Sequence, residues 1–133
     1  MARQSMLVVT PNGESLVMEV AETDAERARG LMGRPNVPRG AGMYFRFPVA
    51  DRHPFWMMNC LIPLDIAWLD ENGVVVYVSE GTPPCAAAPC PTYTPPAPAS
   101  QVIELGAGEA RRLGIVRGAR VLLERLPAGR EQK

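Results

Sequence analysis

Asp65-Ile66-Ala67-Trp68-Leu69-Asp70-Glu71-Asn72-Gly73-Val74-Val75-Val76-Tyr77-Val78-Ser79 is the stretch that decides the fold. Two short runs rich in β-branched and aromatic residues flank Asp70-Glu71-Asn72-Gly73, a strong turn signal, so the segment reads as a β-hairpin. The same grammar recurs on both sides. Met6–Val9 and Ser15–Val20 flank Pro11-Asn12-Gly13 and read as a second hairpin. Gly42 to Phe47 alternates, with Met43, Phe45 and Phe47 on one face and Tyr44 and Arg46 on the other. Phe55–Asn59, Gln101–Leu105 and Arg120–Arg125 complete a set of about eight short strands.

Two segments depart from this period. Thr23 and Glu26 form a capping box ahead of a helix expected over Asp24–Met32, with Gly33 as its stop. Gly108–Leu113 reads as a second short helix, closed by Gly114. Long crossover helices are lacking, which excludes a doubly wound α/β fold. The expected fold is mainly β: a β sandwich or partly open β barrel with two short helices. The 133 residues amount to one domain, expected over 1–133.

Fourteen basic and fourteen acidic residues cancel, and a balanced charge argues against a nucleic-acid partner. Thirteen of the basic residues are arginine, in a chain also rich in Ala, Gly and Pro; no arginine cluster is dense enough to mark an anion site. The longest uncharged stretch, Gly81 to Ile103, holds seven prolines and cannot be a membrane helix. No membrane partner is expected, and the chain should be a monomer or weak dimer. Residues 1–10, MARQSMLVVT, lack the apolar run of a signal peptide. The expectation is therefore cytoplasmic if Met1 is the native start and periplasmic if a leader was removed.

Residues 81–99 contain half the prolines of the chain and no charge. Such a segment inside a small domain reads as an ordered arm lying over the sheet. It carries Cys85 and Cys90, close enough in sequence to form a disulfide. A bridge would point to an exported protein and two free thiols to the cytoplasm; the sequence leaves both open. Cys60 is the third cysteine. His53 with these cysteines could supply zinc ligands only at unusual spacing, so no metal and no cofactor are expected.

Four blocks carry a resemblance: Glu26-Arg27-Ala28-Arg29-Gly30-Leu31-Met32-Gly33-Arg34, Gly42-Met43-Tyr44-Phe45, Phe55-Trp56-Met57-Met58-Asn59, and Ile62-Pro63-Leu64-Asp65-Ile66. Pro84-Cys85 and Pro89-Cys90-Pro91-Thr92-Tyr93 follow. Over about residues 19–121 the chain resembles the DUF192 family, small bacterial and archaeal domains of unknown function. The resemblance implies a single mostly β domain and no agreed activity. It also marks two departures: Cys60 stands where Thr is usual, and Met58 where Lys is common.

The candidate ligand-binding residues are Arg34, Trp56, Asn59, Asp65 and Tyr93. Trp56 offers a flat apolar face and one donor, Asn59 two donors and an acceptor, Asp65 a fixed charge. Each also has a structural reading: core Trp, turn Asn, and an Arg34–Asp65 ion pair. By strand parity Trp56 and Asn59 face oppositely. A cleft between sheet and arm, rimmed by Arg34, Asn59, Asp65 and Tyr93, would make this a non-catalytic module for a small molecule or protein. The competing classes are a small enzyme dependent on Asp65 or a cysteine, and a purely structural or interaction domain. No nucleophile elbow, zinc-protease motif, phosphate loop or dinucleotide fingerprint is present.

Overall fold

The computed structural model describes residues 4–127. In chain order the elements are β1 (Ser5–Val9), β2 (Ser15–Ala21), α1 (Asp24–Arg29), β3 (Met43–Asp51), β4 (Phe55–Trp56), β5 (Leu64–Leu69), β6 (Val75–Thr82), β7 (Thr92–Tyr93), β8 (Ala99–Gly106), α2 (Glu109–Leu113) and β9 (Leu122–Leu126). Seven strands form one sheet in the order β6-β5-β8-β3-β2-β1-β9, and β4 pairs with β7 in a separate ribbon. β2 and β3 run parallel; the other neighbours in the sheet are antiparallel.

The sheet curls until its two ends meet. β6 and β9 are its outermost strands, yet Val75 N donates to Ala119 O at 2.8 Å and Gly118 N to Val75 O at 2.8 Å. Val121 N donates to Gly73 O at 2.9 Å. The chain entering β9 therefore covers the start of β6, satisfying backbone groups that an open edge would leave bare. The result is the partly open barrel expected from the strand count, with two short helices. Gly73 allows the approach: it sits at φ 81°, and a Cβ there would meet Val121 O at 2.3 Å.

Two apolar clusters lie on opposite faces of the central strands. Met6, Val8, Leu16, Met18, Leu69, Ile103 and Leu105 fill the inside of the curl, and Ala110 and Leu113 of α2 plug one end. Phe45, Leu64, Ile66, Trp68 and Val102 face the other way and are covered by Leu31, Met57 and the β4–β7 ribbon. β5 is buried at every position from Leu64 to Leu69. β8 is buried from Ala99 to Leu105. A strand covered on both faces has no solvent side for a charge, so any ionisable residue within it requires a partner or a purpose.

Two expected boundaries shift. α1 ends at Gly30, not Gly33; the Thr23–Glu26 capping box is present, but the helix is only six residues long. It contributes no buried residue, because its apolar positions are two alanines, and the chain leaves the helix to bury Leu31 instead. The strand expected over Phe55–Asn59 stops at Trp56. Asn59 adopts φ 60°, a left-handed conformation that ends extended pairing and that Asn tolerates better than most residues. Among the described residues no helix is long and apolar enough to cross a membrane.

The proline-rich arm is shorter than the uncharged stretch. β6 continues through Gly81 to Thr82, and β8 begins at Ala99. Cys85 and Cys90 are joined, with 2.12 Å between their sulfurs and 5.9 Å between their Cα atoms. The bridged loop bears on residues 57–60: Asn59 N donates to Cys85 O at 3.0 Å, and Cys85 N to Met57 O at 3.1 Å. Cys90 Sγ lies 3.7 Å from Met58 Sδ.

Candidate functional site

A cleft of about 330 Å³ lies on the outer face of the sheet. One wall is the end of α1 and the turn after it, Arg27 to Met32; the other is Pro54, Phe55, Trp56 and Met58. Phe45 and Phe47 of β3 form the back. Three local features fix these walls. Gly33 N donates to Asn59 O at 2.9 Å, tying the turn after α1 to the loop after β4. Phe55 pairs with Tyr93 across the ribbon and meets Phe45 edge-on at 5.0 Å. Arg27 is fixed over the Phe47 ring, 5.2 Å from its centroid, and donates to Arg46 O at 2.8 Å.

Cys60 and Glu104 are the buried ionisable groups of this lining, whose other polar members are Arg27, Arg29 and Thr92. Glu104 comes from the middle of β8 and is 4% exposed. Among the described residues its carboxyl has no hydrogen-bond partner and no salt bridge. Its Oε1 would lie 3.8 Å from a Cβ added to Gly30, beside the Phe45 ring; the carboxyl therefore sits just beneath the turn that forms one wall. Burial raises its pKa from 4.5 to about 8, since removing a carboxylate from water without a partner disfavours the charged form. The Cys60 thiol is pushed up to about 11, first by burial and then by the nearby Glu104. A thiol so placed stays protonated near neutral pH and is a poor nucleophile.

The residues singled out from sequence are dispersed. Trp56 lines the cleft and is 45% exposed. Tyr93 supports the wall from behind, in the cluster that holds Phe55. Asn59 lies in an adjoining concavity of about 440 Å³ that shares Met32 and Cys60 with the cleft; the parity argument for Trp56 and Asn59 does not apply, because the strand ends at Trp56. Of the arm, Thr92 reaches the cleft that holds Glu104, and Ala86 the adjoining concavity.

The Arg34–Asp65 pair does not form. Arg34 makes a two-pronged pair with Glu19, at 2.8 and 2.9 Å. Asp65 is fully buried and accepts from three backbone amides: Gly81 at 2.7 Å, Gly108 at 2.9 Å and Ala110 at 2.9 Å. The physical reason is position. Asp65 lies on β5 between the end of β6 and the start of α2, whose first amides have no partner within the helix. Gly108, the residue capping α2, has no side chain to serve them. Asp65 is a cap supplied from another strand, and it does not rim the cleft.

His53 is also accounted for. Its ring stacks on Phe47 at 3.8 Å, its Nε2 lies 2.8 Å from Val49 O, and its carbonyl accepts from Trp68 Nε1 at 2.9 Å. With Cys85 and Cys90 bonded to each other, the four residues weighed as zinc ligands do not converge. Among the described residues no group of three metal-ligating side chains does.

Sequence reasoning missed Glu104. The available signal was the single charge inside Ala99-Ser100-Gln101-Val102-Ile103-Glu104-Leu105, an otherwise uncharged strand.

Comparison with known proteins agrees with this architecture. A protein of unknown function from Novosphingobium aromaticivorans is 32% identical, with a TM-score of 0.77 over 89% of this chain and 83% of its own. A Sinorhizobium meliloti protein described as a "putative transcription regulator" is 28% identical, with a TM-score of 0.80 over 92% of this chain and 95% of its own. No curated protein matches. The model of an uncharacterised family, DUF192, matches residues 7–123. The chain belongs to the DUF192 family.

Proposed function

We propose that the protein is a non-catalytic small-ligand-binding module whose site is the cleft between the turn after α1 and the β4 wall. The observation that carries this is Glu104: a carboxyl 4% exposed, without a hydrogen-bond partner among the described residues, at the bottom of an apolar cleft. A carboxyl with so little contact with water and no protein partner offers a ligand a polar contact that nothing in the chain already uses. The volume and the apolar lining with few polar groups fit a small-molecule site.

The enzyme reading has less to work with. Asp65 is occupied by three amides, and the Cys60 thiol is held protonated. A carboxyl near neutrality can transfer protons, but no activated nucleophile accompanies Glu104 in the lining. A nucleic-acid role, as the description of the Sinorhizobium meliloti protein suggests for that protein, is not favoured. The charge is balanced, and Arg27, Arg34, Arg112 and Arg125 are paired with carboxylates. The disulfide supports residence in an oxidising compartment.

Trp56 is the natural reporter, since Trp68 is fully buried. Titration with a panel of small aromatic and aliphatic molecules should change Trp56 emission saturably, and Trp56→Phe should abolish the signal. A panel that leaves the emission unchanged throughout would refute the reading.

A further inference from the structure

Three features of the cleft bear on the chemistry of its ligand. The floor is a carboxyl whose elevated pKa has burial as its one cause; no basic side chain offsets it. Two arginines, Arg27 and Arg29, also line the cleft; Arg27 is held by Asp24 at 2.6 Å and by Arg46 O, and among the described residues neither forms a salt bridge with Glu104. The walls are π-faces and thioethers: Phe45, Phe55, Trp56, Met32 and Met58. Aromatic faces attract cations through the ring quadrupole, and more strongly where water is excluded. The carboxyl and the Phe45 ring also adjoin, since both lie within 4 Å of one point beside Gly30.

A carboxylate amid aromatic rings, lacking a cation of its own, suits a ligand that brings one. We infer that the cleft, read as a ligand site, takes a protonated amine carried on an apolar body, with the ammonium on Glu104 and the body against Trp56 and Met58. An anionic head would face Glu104 directly, and a neutral hydroxyl would gain only an uncharged hydrogen bond. An ammonium gains a charge-assisted bond in a site of low dielectric.

The inference carries a proton balance. Near pH 7 the empty cleft holds Glu104 as the neutral acid. Entry of R-NH3+ leaves Glu104 as the carboxylate and sends its proton to solvent. Binding therefore strengthens as pH rises towards about 8, then levels until the amine loses its own proton. The other groups lining the cleft do not titrate in this window. Cys60 stays a thiol, and Arg27 and Arg29 stay charged, as arginines do.

Calorimetric titration of the full chain with benzylamine, benzyl alcohol and benzoate tests this, with Glu104→Gln in parallel. Benzylamine should bind at least tenfold more tightly than the other two and tighten between pH 6.5 and 8, and its observed binding enthalpy should vary linearly with the ionisation enthalpy of the buffer, the slope giving the protons released. Glu104→Gln should lose the preference for the amine and still bind benzyl alcohol as the unaltered chain does. Equal binding of amine and alcohol, or an amine preference that survives in Glu104→Gln, overturns the amine inference and leaves the ligand-site reading standing. No binding of any of the three overturns both. The ranking of the three probes and its pH dependence decide the matter in the unaltered chain even if the variant does not fold.

Discussion

Replacing Glu104 with Gln should change how stability depends on pH, and the size of the change follows from the site. The carboxyl is raised from 4.5 to about 8 in the folded chain. Below pH 4.5 it is protonated folded and unfolded, and burial costs nothing in charge. Between 4.5 and 8 the unfolded chain releases the proton and the folded chain retains it. The folded state then binds more protons, so stability falls as pH rises and levels off above 8. At about 1.4 kcal/mol per tenfold, that gap amounts to roughly 4–5 kcal/mol lost across the window. Gln has the same shape and no charge to lose. Urea unfolding of both proteins at pH 5 and pH 8.5 isolates the effect, because the other titrating groups are common to both. The advantage of Glu104→Gln over the unaltered chain should grow by several kcal/mol between the two pH values. Parallel pH dependence in the two proteins would refute the assignment of Glu104 as a buried, unpartnered acid.

Asp65→Asn should cost about 2–4 kcal/mol in a melting or denaturant experiment, since Asn offers one oxygen where the carboxylate serves three amides; a loss under 1 kcal/mol would count against its role as a cap. Arg34→Ala should cost no more than about 1 kcal/mol, because the Arg34–Glu19 pair leaves the two side chains 42% and 38% exposed. Converting Cys85 and Cys90 to Ala should cost about 2 kcal/mol for so short a loop. Because Cys85 hydrogen-bonds to both Met57 and Asn59, the same change should expose the arm to limited proteolysis; an arm equally resistant with and without the bridge would show that the bridge does not hold it.

The barrel was legible because its turns are chemically explicit. Asp70 Oδ1 accepts from Asn72 and Val74, and Gly73 takes the positive φ between the strands. The capping box of α1 was equally plain, but its length was not, because Leu31 and Met32 keep a helical spacing after the helix has ended. Trp56 was singled out by its type as a candidate ligand-binding residue, and it lines the cleft. Asp65 was found and misread: its partners are backbone amides 16, 43 and 45 residues away, which carry no side-chain signal, and Arg34 was chosen on charge alone. Glu104 was hidden because a charge in an alternating strand ordinarily faces solvent. The stacking of β8 between two apolar clusters turns it instead to the floor of the cleft.

The most direct test of a ligand cleft above Glu104 is methyl NMR of the chain labelled at its methionines, titrated with benzylamine. Met32 and Met58 line the cleft, whereas Met6 and Met18 lie in the opposite core. Saturable shifts at Met32 and Met58, with Met6 and Met18 unmoved, are predicted. Saturable binding that moves Met6 and Met18 while leaving Met32 and Met58 unchanged would contradict it.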